Sequence, residues 1–391
     1  MADEMTTLDD VEETCARALG TLEYTLHAEA SLRALRDPGT GRERIMGVGV
    51  SGVVTLPGSG APVHLPFTGC PDVAVLAAAV GQPPSPARPA RPGQGVVAGV
   101  APWMPDAATP CVQHLESAAG VFRAPGGDVR RWHRTRRGLA PTAAAERWLA
   151  PVVWAGQDLT PTQRLAAGEG LPRAVSAAPG PAPSSDAPLL VLPHVWAGLA
   201  PLVAASVTRG FAGAPSHDGA ELVDPGVVPG SSTPAYDLEG VAPTAVVLSD
   251  RKGRQASLAT RTDTSCGAPA TGLTGHARLT DWQGLVRPQP WQVVLRGIPV
   301  LDPGEVDPSV HVVTRARWVG TQFLRASEPM HLWLETARRT PQGLAMAPEP
   351  LQLTVTARQV LESVVRASDV LGWIDGPVGT AAQLIEWRPP R

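Results

Sequence analysis

Leu22-Glu23-Tyr24-Thr25-Leu26-His27-Ala28-Glu29-Ala30-Ser31-Leu32-Arg33 alternates without a break between apolar and polar residues. That period of two marks a half-buried strand, with the leucines, Tyr24 and the alanines facing a core. His27 and Glu29 share the opposite face, where solvent exposure is expected. Asp37-Pro38-Gly39 supplies turn chemistry, and Arg42–Leu56 reads as the antiparallel return strand. Ahead of the strand the period is helical. Leu8, Val11, Cys15, Ala18 and Leu19 recur on one face, and Thr7 can cap the start. Asp9 and Asp10 favour the positive end of the helix dipole, and Gly20 is a stop. A helix followed by an antiparallel hairpin predicts an α+β fold.

Working outward, Asp72–Val80, Cys111–Ala119 and Thr142–Leu149 carry helix-like spacing. The proline-rich Gln82–Gly93 reads as an extended loop. Arg173–Pro188 is almost free of large apolar residues and reads as a linker. The expected organisation is a smaller mixed α/β N-terminal domain over 1–172, a Pro/Ala/Ser linker over 173–188, and a C-terminal domain of large twisted, mainly antiparallel sheets over 189–391. In that last part, Leu189–Leu192 reads as a short buried strand and His194–Arg209 as a helix. Thr244–Ser249 and Gln255–Thr260 read as a hairpin around Asp250–Gly253. Further strands are expected at Trp291–Leu295, Val310–Trp318, Met330–Leu334, Leu351–Ala357 and Ala382–Trp387, with a helical piece at Arg358–Val365.

The chain has 391 residues, 43% of them hydrophobic, and a formal net charge of -3. That balance argues against bulk attraction to nucleic acid or an anionic membrane. Lys252 is the sole lysine and asparagine is absent, which reads as the codon bias of a GC-rich, actinobacterial-type genome. Cys15, Cys70, Cys111 and Cys266 are scattered with no CxxC pair, as in reduced cytosolic thiols rather than a disulfide framework. The acidic N-terminus has no apolar secretory core, and no run approaches the ~20 apolar residues that span a bilayer. The expected location is cytoplasmic.

Among motifs, Gly47-Val48-Gly49-Val50-Ser51-Gly52 matches the letters of a dinucleotide fingerprint but leads into Val53-Val54-Thr55-Leu56-Pro57, a strand and not a helix. The glycines are expected to serve packing within a strand. Arg130–Arg137 is a dense basic run around Trp132 and His133, expected on a solvated face or loop, or as a partner contact for an acidic peptide or nucleic acid. The histidines show no HExxH, HExxxH or HxH spacing, no GxSxG elbow occurs, and His27-Ala28-Glu29 lacks the PCxxC that would complete a deaminase site. His114 beside Cys111 reads as an ordinary core or surface pair.

Three blocks stand out in the second half: Asp224-Pro225 through Pro229-Gly230 to Pro234-Ala235-Tyr236-Asp237-Leu238-Glu239-Gly240-Val241; Leu273-Thr274-Gly275-His276-Ala277-Arg278; and Leu361-Glu362 through Gly379-Thr380-Ala381-Ala382-Gln383-Leu384-Ile385. Together, in this order, they resemble the TldD/TldE (PmbA, modulator-of-gyrase) family. The resemblance covers roughly 188–391. In TldD-type subunits of that family a helix here carries HExxxH, two histidines holding a metal and the glutamate activating water. This chain has Leu192-Pro193-His194-Val195-Trp196-Ala197-Gly198-Leu199-Ala200, so Val195 and Leu199 stand where the glutamate and the second histidine would be. The family's C-terminal ligating cysteine has no counterpart after Cys266. The run fits the TldE-type form instead.

The resemblance therefore implies a non-catalytic TldE-like subunit with no cofactor of its own. Zinc is expected in a TldD-like HExxxH partner, and an unfolded or leader-type peptide is the expected substrate of the heterodimer. The setting it suggests is maturation of a peptide natural product. Candidate cleft residues are His194, Trp196, Asp237, Glu239, His276 and Arg278; catalytic and metal-ligating residues are none. Trp196, Trp282, Trp291, Trp318 and Trp333 are expected at the cleft, the subunit interface or the core. A stand-alone hydrolase using His194, His276 and Asp237, and a pure interaction protein using the basic run, remain open alternatives.

Overall fold

The structure is a computed structural model that describes residues 7–37, 40–57, 62–81, 111–141, 152–155, 179–184, 187–208, 219–250, 258–261, 272–279, 286–302, 305–307, 310–319, 329–340, 343–376 and 378–390. The expected elements at Thr142–Leu149 and Gln82–Gly93 lie outside these residues, as do half of the linker, residues 251–257 of the expected 244–260 hairpin and Trp282. Among the described residues no helix is long and apolar enough to cross a membrane.

The first helix, α1 (Leu8–Leu19), begins at a reciprocal cap. The Thr7 hydroxyl accepts from the Asp10 N–H at 3.2 Å, and the Asp10 carboxylate accepts from the Thr7 N–H at 2.7 Å. Its apolar face buries Val11, Cys15, Ala18 and Leu19 against Leu26, Ala28 and Val54. Those partners belong to β1 (Thr25–Arg36) and β2 (Glu43–Leu56), the expected hairpin. β3 (Val63–Thr68) adds to β2, and α2 (Val73–Ala79), capped by Asp72, packs beside α1. On the other edge of β1 lie β4 (Cys111–Arg123) and β5 (Val129–Pro141), followed by the short β6 (Val153–Trp154).

Cys111–Ala119 is therefore a strand and not the expected helix. Val112–Ala140 and Gln113–Arg36 pairings tie it to neighbours on both sides. With its residues largely buried, sheet pairing overrides the local preference of an alanine-containing segment.

The second half begins with β7 (Leu189–Val191) and α3 (Pro193–Thr208), both where expected. The strands that follow are β8 (Glu221–Asp224), β9 (Val246–Ser249), β10 (Ala277–Leu279), β11 (Val286–Pro288) and β12 (Gln292–Arg296). After them come β13 (His311–Val319), β14 (Met330–Thr340), β15 (Gly343–Met346) and β16 (Leu351–Val355). The chain closes through α4 (Ala357–Glu362), β17 (Val364–Ala367), β18 (Trp373–Ile374), β19 (Gly379–Ala381) and β20 (Ile385–Trp387). α4 is shorter than the expected Arg358–Val365 helix, because Val364 already pairs with Trp387.

Two large sheets result. One runs β3-β2-β1-β4-β5-β6-β18-β19-β12-β8-β9, so strands from both ends of the chain share it; the other runs β15-β14-β13-β7-β20-β17, with β16 on β14. Pairing is antiparallel except at β12–β19 and β13–β7. The fold is thus α+β and dominated by mainly antiparallel sheets. α3 packs against β13 of one sheet and β9, β12 and β19 of the other. Val195, Trp196, Leu199, Ala200, Val203 and Ala204 are all buried in this central core, as expected for a helix enclosed on most sides.

Candidate functional site

Two buried aspartates shape the loops of the second half. Asp224, at the end of β8, is fully buried. Its Oδ1 accepts from the Gly226 N–H at 2.9 Å, and its Oδ2 accepts from Trp291 N–H at 2.6 Å, with His276 Nε2 at 3.1 Å. Asp237 accepts through Oδ1 from Glu239 N–H at 2.9 Å and Val241 N–H at 2.8 Å, and through Oδ2 from Ala277 N–H at 2.9 Å. Burial raises the Asp237 carboxyl above its usual range, outweighing these three donors and the nearby His276. Each carboxylate ties segments some fifty or forty residues apart, which is why buried acids survive here.

Four of the expected cleft residues come together around this scaffold. Asp237 and His276 are its buried pins. Glu239 accepts from the Arg261 N–H at 2.6 Å, and Arg278 stacks its guanidinium 4.4 Å over Trp291 while donating to Pro290 O at 2.8 Å. His276 has no exposed surface, and its Nδ1 has no hydrogen-bond partner among the described residues. His194 and Trp196 lie elsewhere, on the first turn of α3 in the central core. His194 Nε2 sits 3.0 Å from Thr314 O, and burial lowers its pKa despite that bond. Trp196 is 2% exposed, a core residue. Trp333, on the outer face of β14, is exposed at 41%.

The face of β1 expected to be wet is half-covered at His27 and Glu29 and exposed at Arg33. His27 Nε2 is 3.1 Å from Tyr236 O, and its ring lies 5.3 Å from Trp132, which in turn meets Tyr236 edge-on. The 231–241 segment thus roofs this face. Burial pushes the His27 imidazole down to about 4, more than its backbone hydrogen bonds raise it. Gly120 makes room for Trp132, since a Cβ there would lie 2.1 Å from the indole.

Under the same roof, the basic run is a strand and not a solvated loop. Arg130, Trp132, Arg134 and Arg136 alternate onto one face of β5. Arg33, Glu116 and Arg136 stand opposite one another across β1, β4 and β5. Arg136 is buried over Trp154, bonds Glu116 Oε1 at 2.8 Å and holds Asp375 at 2.7 and 3.0 Å. Arg134 joins Glu29 at 2.9 Å, Glu116 at 3.2 Å and Ser232 O at 2.6 Å. Burial raises the Glu29 carboxyl, with Arg134 opposing. Arg131, on the other face, pairs with Asp9 and Glu12 of α1. Three arginines and three carboxylates form one balanced network, so the run is largely spent on the protein itself. The period of two in 130–136 was the available signal for it.

A cleft of about 300 Å³ opens where this roof meets the hairpin. Residues from the hairpin and β3 (Thr55, His64), from β4 and β5 (Phe122, Arg130) and from the second half (Glu239, Arg261) line it. Gly240, at φ +74°, touches Phe122 so closely that an added Cβ would lie 2.2 Å from its ring. Of the glycine fingerprint, Gly52 is a packing residue, its Cβ position blocked by His27 O at 2.3 Å, whereas Gly47 and Gly49 border open space. All lie in a strand, not at a helix start.

Among the described residues no three His, Cys, Asp or Glu side chains converge to hold a metal ion. α3 does not fit one: beside His194, Val195 and Leu199 are 4% and 7% exposed in the core.

No family model and no curated protein matches the sequence. Solved structures do match its fold. TldE from Thermococcus kodakarensis superposes with a TM-score of 0.61 at 12% identity, over 97% of this chain and 98% of that one. A putative modulator of a DNA gyrase from Thermotoga maritima gives 0.58 at 11% identity, over 97% and 99%. A putative modulator of DNA gyrase from Bacteroides thetaiotaomicron gives 0.56 at 10%, over 98% of each chain. From β1 to β20 the chain has the fold of these proteins.

Proposed function

From a fold shared end to end with TldE, we propose that this chain is a TldE-type subunit of a two-subunit peptidase of the TldD/TldE family, and that it is not itself the catalyst. The observation that supports this reading best is α3. In the segment that would carry HExxxH, Val195 and Leu199 are packed in the central core and His194 bonds a backbone carbonyl. A zinc centre needs several deprotonated ligands around an accessible ion, and one imidazole in a hydrocarbon setting does not supply them. The metal and the water-activating base would come from a TldD-like partner carrying HExxxH. This chain would complete the enclosure that admits an unfolded or leader-type peptide, whose backbone is recognised in extended form. Maturation of a ribosomally made peptide is the setting we favour.

The test is co-expression with a TldD-like HExxxH protein. The expected result is a stable heterodimer in which zinc and peptidase activity require the partner, while the chain alone binds no stoichiometric zinc. Stoichiometric zinc on the lone chain, or peptidase activity without a partner, would overturn the proposal. So would failure of the two to associate.

A further inference from the structure

We draw no further inference here: the strongest candidate, the open edge of β2 over residues 43–49, which among the described residues pairs with β1 alone beyond the end of β3, is interrupted by the bulge opposite Arg33 and Ala34, and nothing in the structure shows what covers it.

Discussion

Replacing Glu116 with Gln tests whether the network beneath the 231–241 roof holds the two ends of the chain together. The Glu116 side chain is 2% exposed and lies 2.6 Å from Arg33 Nε, 3.2 Å from Arg134 Nη2 and 2.8 Å from Arg136 Nη2. Gln keeps the shape but deletes the charge, and it turns an amide N–H toward guanidinium donors. Removing one partner of a buried pair costs about 3–5 kcal/mol, because the other charge remains desolvated. Two features place this case near the lower bound. Arg136 keeps Asp375, and Arg134 keeps Glu29 and Ser232 O. The expected loss is therefore about 3 kcal/mol. Arg33, with 56% of its side chain exposed, is the internal control: Arg33→Gln should cost under about 1 kcal/mol. Urea unfolding gives the measurement, as a fall in midpoint at unchanged slope. Glu116→Gln and Arg33→Gln costing the same, both below about 1 kcal/mol, would refute the claim that this network is a buried one.

Gly240→Ala combines a positive φ with a clash against Phe122, and should cost about 2–4 kcal/mol in unfolding free energy, partly recovered by Phe122→Leu. His27, held near 4 in the folded chain against 6.5 unfolded, binds fewer protons when folded, so stability should be lost as pH falls from 6.5 towards 4. His27→Gln should flatten that limb, by at most about 1.4 kcal/mol per pH unit. Glu29, raised by burial, acts in the opposite sense, its contribution being lost as pH rises through its folded value, so the comparison is wild type against His27→Gln. Burial pushes the Cys15 thiol up to about 12, whereas Cys70 is exposed. Timed alkylation at pH 8 with peptide mapping should label Cys70 well before Cys15.

The parts of the fold legible in the sequence are those where one local period meets one environment. α1 with its Thr7 cap, the β1–β2 hairpin, β7 and α3 all satisfy that condition. β4 does not. It is central, covered on both faces, and buries Gln113, Glu116 and Ser117 among apolar residues, so no alternation shows. His27 and Glu29 look solvated because the segment that covers them begins two hundred residues later, at Ser231–Tyr236. Asp224 is hidden in a similar way. Two of its partners, His276 and Trp291, lie 52 and 67 residues further on, and nothing in Asp224-Pro225 marks a fully buried carboxylate. The resemblance blocks located Asp237, Glu239, His276 and Arg278 together, whereas His194 and Trp196 proved to belong to another layer.

The burial of α3 sharpens what separates this chain from a metal-bearing one. If Val195 and Leu199 faced a cleft, two substitutions would restore the HExxxH pattern after His194. They face hydrocarbon instead, among Leu192, Ala200 and Val203. Val195→Glu with Leu199→His would put a carboxylate and an imidazole where the native side chains are 4% and 7% exposed, and neither would find a hydrogen-bond partner in that core. Each unpaired buried polar group costs about 1–3 kcal/mol, and an ionised one more, so the double variant should lose upward of about 4 kcal/mol before any metal binds. Added zinc should not raise its melting temperature, because a carboxylate and an imidazole packed into hydrocarbon are closed off from an ion and its water. Stabilisation of the variant by zinc in a thermal scan would mean that α3 can turn this face outward, and the argument that its packing excludes a metal centre would fall.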